Sequence, residues 1–392
     1  MKFIPTAFAV ATLAVQAAAQ SPIYGYQDLS FPNRSGQGSA NLTTRVYYPA
    51  TTTGQGVAIK PRSGGHPVIV MLHGFSLIGL DYQTLGRHFA DKGYVVVLPN
   101  TARLLAGTQV DDALALFPAL KVANASGFLK GALDVGRIGL AGHSMGGKST
   151  FDVLAKNPGY RCGLGIAPID AGSSIKNVTV PVGVLHGKGD WVLGWRSHGL
   201  ATYQAAERYS EFKFLYLMNT QCGHNNIAGL FQITSRDQWV WARSARIIEG
   251  FFDTFLEMES AGVEEVAGER ARSASLLDKL YLEVERPASW VAGTSAIGQT
   301  VRLCLLCEPG TAILATALKT ASIPLPFGRL QLDPSSLLVL HQGPVSSSRL
   351  LALPINIPND AALRGARFPL QGLGLNKAGD LRISGLSTLA IQ

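Results

Sequence analysis

Gly142-His143-Ser144-Met145-Gly146, directly after the apolar run Ile138-Gly139-Leu140-Ala141, holds the residue types most suited to chemistry in this 392-residue chain. G-x-S-x-G between a strand and a helix is the pattern of a nucleophile elbow, in which small flanking residues let the backbone bend sharply and lift the serine hydroxyl above a sheet. The same turn leaves the Met145 N–H at the head of a helix, where it can face a developing oxyanion. Read more widely, Gly142 to Ser149 (G-H-S-M-G-G-K-S) also satisfies the phosphate-loop pattern G-x-x-x-x-G-K-[ST]. Spacing alone does not choose between them. A phosphate loop needs a nucleotide supply, whereas a serine nucleophile needs a downstream acid and a histidine.

Both partners are present. An apolar, Pro-initiated run ends in the Gly-rich turn His186-Gly187-Lys188-Gly189-Asp190, and the strand-like run 212–218 leads into Cys222-Gly223-His224-Asn225-Asn226. Ser144, Asp190 and His224 therefore follow one another in that order, each just past the C-terminal end of a predicted strand, where open α/β sheets gather their functional groups. Asp170 is the alternative acid, and its other reading is a turn residue. A further strand, 66–72, runs into His73-Gly74-Phe75, so the Phe75 N–H can join that of Met145 in an oxyanion hole. Phe75, Ile169, Trp191 and Trp195 fall on the loops above the strands and are expected to line an apolar cleft; ordinary loop packing is the alternative. His143 reads as a packing or gating side chain. His73 and His186 read as hydrogen-bonding supports, because no ligand spacing links them, and neither a metal nor a cofactor is expected.

These groups need a scaffold, and the pattern supplies one. From His66 onward apolar strands alternate with helical stretches at 82–92 and 145–156, which argues for an α/β fold with a mostly parallel sheet flanked by helices. Ser235 with Gln238 forms a capping box before Val240, Ile247, Ile248, Phe251, Phe252 and Phe255, so a long amphipathic helix should close this unit near Met258. The charged stretch 261–278 reads as a linker. Short alternating runs separated by Pro, Gly and Asp fill 279–392 and predict a small antiparallel β-sandwich. Cys304 and Cys307 have C-x-x-C spacing, yet in an alternating run they point to opposite faces and no second ligand pair follows, which argues against zinc or redox chemistry.

At these residues the chain resembles the α/β-hydrolase superfamily, in particular the branch of bacterial cutinases and polyester (PET) hydrolases, dienelactone-hydrolase-like proteins and plant chlorophyllases. The likeness covers about 66–256. Gly-His-Ser-Met-Gly-Gly, the run Ile166-Ala167-Pro168-Ile169-Asp170 and the Gly-x-Asp turn at Asp190 look like the polyester hydrolases; His73-Gly74-Phe75-Ser76 and Gly147-Lys148-Ser149 look like chlorophyllases. Chlorophyllases take their acid from the strand end where this chain has Ala167, so the polyester-hydrolase resemblance favours Asp190. Dienelactone hydrolases proper use cysteine where this chain has Ser144. The segments 325–334 and 354–360 resemble C-terminal β appendages of secreted bacterial proteins.

Composition is consistent with export. Met1-Lys2, an apolar run over 3–15 and Ala17-Ala18-Ala19 read as a signal peptide over 1–19, ahead of a catalytic domain at 20–260. No other apolar stretch approaches the ~20 residues of a spanning helix. With 47% hydrophobic and 15% charged residues there is ample material for a core, and the net charge of +8 is scattered without a nucleic-acid motif. Four cysteines allow three pairings in an oxidising compartment. Sequons stand at Asn33, Asn41, Asn124 and Asn177. The expectation is a secreted, monomeric serine hydrolase of carboxylic esters, with insoluble polyester among its candidate substrates. The alternatives are a short-chain acyl or lipid esterase, and a surface-binding protein acting through its C-terminal sandwich.

Overall fold

The computed structural model describes residues 22–32, 41–101, 104–156 and 159–392. The expected signal peptide and Asn33 lie outside the described residues. Strands β1 (Tyr24–Pro32), β2 (Asn41–Pro49), β3 (Gly54–Gln55), β4 (His66–Leu72), β5 (Val95–Pro99), β6 (Leu133–His143), β7 (Gly163–Ile166), β8 (Val182–Gly187), β9 (Phe212–Met218) and β10 (Leu277–Val284) form one sheet. Its order is β10-β9-β8-β7-β6-β4-β5-β2-β1-β3. The run from β5 through β9 is parallel, while β2 joins β5, and β10 joins β9, in antiparallel fashion.

Every residue of β4, β5, β8 and β9 is buried. Their near-continuous apolar sequences follow from helices covering both faces. On one face α1 (Gln83–Asp91) and α5 (Ser235–Phe252) pack Phe89, Ile247 and Phe251 against the sheet. On the other, α2 (Ala106–Ala125), α3 (Met145–Lys156) and the short α4 (Ala201–Ala205) contribute Leu116, Leu120, Phe151, Leu154 and Tyr203. The α5 cap lies one residue earlier than the sequence suggests: Thr234 Oγ1 accepts from Asp237 N at 3.1 Å, and the Asp237 carboxylate accepts from Thr234 N at 3.0 Å. Thr and Asp at this spacing serve the same reciprocal role as the expected Ser and Gln.

The C-terminal strands form an antiparallel sandwich, as the alternating runs indicate. Strands β11 (Ala288–Ala292), β12 (Thr300–Leu306) and β17 (Leu350–Asn356) make one sheet. The second is built around β13 (Glu308–Thr316), β16 (Leu338–Val345) and β18 (Arg367–Leu375), with Val301, Leu303, Leu305, Leu314 and Leu370 between the two, while β14 (Thr320–Leu325) and β15 (Gly328–Leu332) pair with each other as a separate hairpin. Two details depart from the sequence reading. The stretch 261–278 carries short helices, Val263–Val266 and Glu269–Arg272, whose Val263, Val266 and Ala271 are buried in the same core as α5. Strand β10, read as the start of the sandwich, instead extends the large sheet along β9. An alternating run announces a strand with one buried face; it does not say which edge that strand will join. Trp290, Cys304 and Leu306 of the sandwich also enter the large core, and Trp290 Nε1 donates to Glu264 Oε2 at 2.9 Å. All four cysteines are buried and unpaired with one another.

Candidate active site

Strand β6 ends at His143, α3 starts at Met145, and Ser144 between them holds φ at +56°. A non-glycine residue in the left-handed region is uncommon, and such conformations gather at functional sites. The flanking glycines are required by space. A Cβ on Gly142 would lie 2.1 Å from Gly146 O, and one on Gly146 2.2 Å from Leu72 O. The turn is fastened by Ser144 N donating to Ile166 O at 3.0 Å and by Ser144 O accepting from Ile169 N at 3.1 Å. The side chains a phosphate loop would use are engaged elsewhere: Lys148 Nζ donates to Asp152 Oδ2 at 2.7 Å, and Ser149 Oγ donates back to Met145 O at 3.2 Å.

The acid and histidine loops meet because glycines let them. A Cβ on Gly187 would stand 2.0 Å from Cys222 O and one on Gly189 2.2 Å from Thr220 O. Across this contact His224 Nδ1 lies 2.7 Å from Asp190 Oδ2. The other carboxylate oxygen accepts from the Val192 and Leu193 N–H groups at 2.9 and 2.8 Å. Burial works against the Asp190 charge, but the hydrogen bonds from His224 and Leu193 outweigh it and hold the carboxyl below its ordinary range. An ionised Asp190 places the proton of a neutral His224 on Nδ1 and leaves Nε2 as an acceptor. Ser144 and His224 are each 8% exposed, so both are sheltered but reachable. No hydrogen bond joins Ser144 Oγ to His224 among the described residues; such contacts are often long before substrate binds.

Asp170 is placed differently. Its Oδ1 accepts from Gly172 N at 3.1 Å and its own N–H donates to His198 Nδ1 at 3.1 Å, an arrangement that closes a turn and does not reach His224.

The expected oxyanion loop crosses directly over the elbow. A Cβ on Gly74 would lie 3.1 Å from His143 Nδ1 and 3.3 Å from Tyr82 Oη, so a glycine gives this loop room against the residues that flank the elbow. His73 anchors the loop through Nε2 to Thr101 Oγ1 at 2.7 Å, and Gln109 Nε2 donates to His73 O at 3.0 Å. His186 ties down the acid loop through Nε2 to Leu193 O at 3.0 Å. His143 is fully buried, with Nδ1 2.8 Å from Tyr82 Oη and Nε2 3.0 Å from His224 O. Burial first, then the neighbouring His224, pushes its pKa down to about 3, which favours the neutral ring.

Of the expected substrate contacts, Ile169 donates to the Ser144 carbonyl, and Phe75 is 58% exposed but outside the lining of the cleft beside His224. Trp191 is 88% exposed and lines a cleft of about 320 Å³ that opens beside His224. Trp195 is not part of that lining; its ring instead carries the Arg196 guanidinium at 4.4 Å. Phe231, Leu230 and Arg236 also line the cleft and were not singled out from the sequence. The signal that could have found Phe231 is conformational, since this bulky residue sits at φ +49° and is 60% exposed.

A mostly parallel sheet covered by helices, with a serine elbow at a strand end and an Asp-His pair on the next loops, defines an α/β hydrolase. The chain belongs to the PET hydrolase-like family, whose model matches residues 11–244, more than half of its length. It is 27% identical over 175 residues to a bis(hydroxyethyl) terephthalate hydrolase of Streptomyces coelicolor, covering 44% of this chain and 53% of that protein. A cutinase, est1, of Thermobifida alba is 26% identical over 180 residues (44% and 55%). Chlorophyllase-2 of Arabidopsis thaliana is 27% identical over 136 residues (32% and 43%). The chain thus spans about half the length of the curated relatives it matches.

Proposed function

We propose that this protein is a secreted serine hydrolase of carboxylic esters, acting through Ser144, His224 and Asp190. The observation that carries the reading is the 2.7 Å bond between His224 and Asp190, formed beside a serine in the left-handed elbow conformation. His224 Nε2 takes the Ser144 proton as the hydroxyl attacks the ester carbonyl, and the N–H groups of Phe75 and Met145 hold the developing oxyanion. Asp190 keeps the imidazole in the required tautomer and stabilises the imidazolium. The same proton then goes to the departing alcohol. Water, activated by His224, attacks the acyl-enzyme and frees Ser144.

The exposed rings of Phe75, Trp191 and Phe231 favour a flat apolar acyl group, polyester segments included, over a short chain alone. The names of the terephthalate-ester hydrolase and the cutinase lend support in the same direction. The apolar run over 3–15 is what supports the export part of this proposal, and a single copy carries all the proposed groups. For a surface-binding role of the sandwich an exposed aromatic row would be expected; Trp290, the one tryptophan there, is fully buried. The test is a series of p-nitrophenyl esters of increasing chain length beside a solid polyester film. Hydrolysis of both supports the polyester reading, release from short esters alone narrows it to a small-ester esterase, and no hydrolysis of any ester overturns it.

A further inference from the structure

We propose that Tyr82 and His143 form a positioning chain that fixes the histidine loop to the oxyanion loop, an inference that rests on the serine-hydrolase reading above. Four groups lie in one line. Gly74 N is 2.9 Å from Tyr82 Oη, Tyr82 Oη is 2.8 Å from His143 Nδ1, and His143 Nε2 is 3.0 Å from His224 O.

For a neutral His143 one arrangement of hydrogens satisfies all three contacts. The His224 carbonyl can only accept, so the His143 hydrogen sits on Nε2 and leaves Nδ1 as an acceptor. Tyr82 then donates its hydrogen to Nδ1, and its oxygen accepts from the Gly74 amide. A second proton on His143 would take away the acceptor that Tyr82 needs.

Tyr82 and His143 are buried, at 0% and 1% exposure, and burying such polar groups costs stability unless they are bonded. An apolar pair would fill the space without that cost. What the polar pair adds is a fixed separation between the loop that presents the Phe75 amide and the loop that presents the His224 ring. The chain supplies Tyr82 by a turn, Gly79–Tyr82, pressed so closely on β5 that a Cβ on Gly79 would lie 2.5 Å from Leu98 O. Neither residue is given a contact with substrate. Their effect should therefore appear in the chemical step more than in ground-state binding.

The experiment measures kcat and KM of the full chain on a soluble p-nitrophenyl ester for Tyr82→Phe, His143→Leu, their double variant, His143→Gln and Ser144→Ala. Each of the first two should lower kcat about tenfold with KM held within about twofold, the scale of one lost buried hydrogen bond. Because both act through one chain, the double variant should be no worse than the poorer single. His143→Gln keeps an acceptor and a donor and should recover most of the loss seen with leucine. Unchanged kcat in Tyr82→Phe, an isosteric change that spares the fold, would overturn the proposal. So would multiplying effects in the double variant, or glutamine performing no better than leucine. Turnover by Ser144→Ala would instead overturn the serine reading itself, and the proposal with it.

Discussion

The ends of the parallel strands and the C-terminal sandwich handle buried polarity in opposite ways. At the strand ends, Ser76, Ser144 and Ala167 adopt left-handed backbone, and His73, His143, His186, Asp190 and His224, all at or shortly past strand ends, are buried. Across the sandwich the buried polar groups include hydroxyls that bond one another, such as Ser289 with Ser384 at 3.0 Å and Ser387 at 3.2 Å. The exposed apolar residues differ too. Trp191 and Phe231 line the cleft beside His224 and Phe75 is also exposed, whereas Leu318, Leu337, Leu338 and Val339 on the sandwich are aliphatic. Strain and titratable groups are expensive to bury, so their gathering at the strand ends points to a candidate site of chemistry. The sandwich instead contributes packing, through Trp290 against the core of the large sheet.

The sharpest way to break this contrast is at the elbow. Ser144→Ala should leave the fold intact and lower ester turnover by roughly 10⁵-fold or more, as loss of a serine nucleophile does; turnover within about tenfold of the parent would end the distinction. Next in size, Asp190→Asn should cost up to ~10⁴ in kcat because the amide cannot stabilise the imidazolium, while Asp170→Asn stays within a few-fold. The reverse ranking would move the acid to the turn. On the sandwich side, Trp290→Ala should destabilise the protein by roughly 3–5 kcal/mol, the scale for a buried large aromatic. It should do so in a single melting transition; two separate transitions would make the sandwich an independent unit. A chain cut after Met258 is expected to aggregate, because it loses β10 and exposes the edge of β9, whereas the intact chain stays soluble.

A smaller effect concerns pH. Asp253, bonded to Tyr94 Oη at 2.5 Å, has its pKa raised to about 6, chiefly by burial. A raised carboxyl holds its proton in the folded state where the unfolded chain has released it, so its contribution to stability is present at low pH and is lost as pH rises through about 6. Asp253→Asn should therefore melt higher than the parent at pH 8 and match it near pH 4. Equal melting temperatures at both values would show that burial there is less severe. Least of all, Trp191→Ala and Phe231→Ala should change hydrolysis of small acetate esters by about twofold while lowering release from a polyester film more strongly, since rim rings act on extended substrate.

Much of this was legible in the chain itself. The elbow is a local signature, and the glycines that bring the acid and histidine loops together, Gly187 and Gly189, stand just before Asp190 in sequence. The strands of the large sheet could be read as buried runs because helices cover both faces. Tyr82 was legible only as the start of a helix, since its partners Gly74 and His143 are 8 and 61 residues away. The edge position of β10 was hidden for a related reason, as pairing with β9 is decided by tertiary contact and not by alternation. Short helices at 263–266 and 269–272 are too brief for periodicity to distinguish them from a charged linker.

The central claim is that Ser144 is the nucleophile, activated by His224. It is tested most directly by incubating the full chain with a p-nitrophenyl alkylphosphonate and locating the adduct by peptide mass spectrometry. The account predicts one equivalent of nitrophenol, one adduct on Ser144, complete loss of esterase turnover, and greatly slowed labelling in His224→Ala. Loss of turnover with the adduct on another residue, or full turnover remaining after Ser144 is labelled, would contradict it.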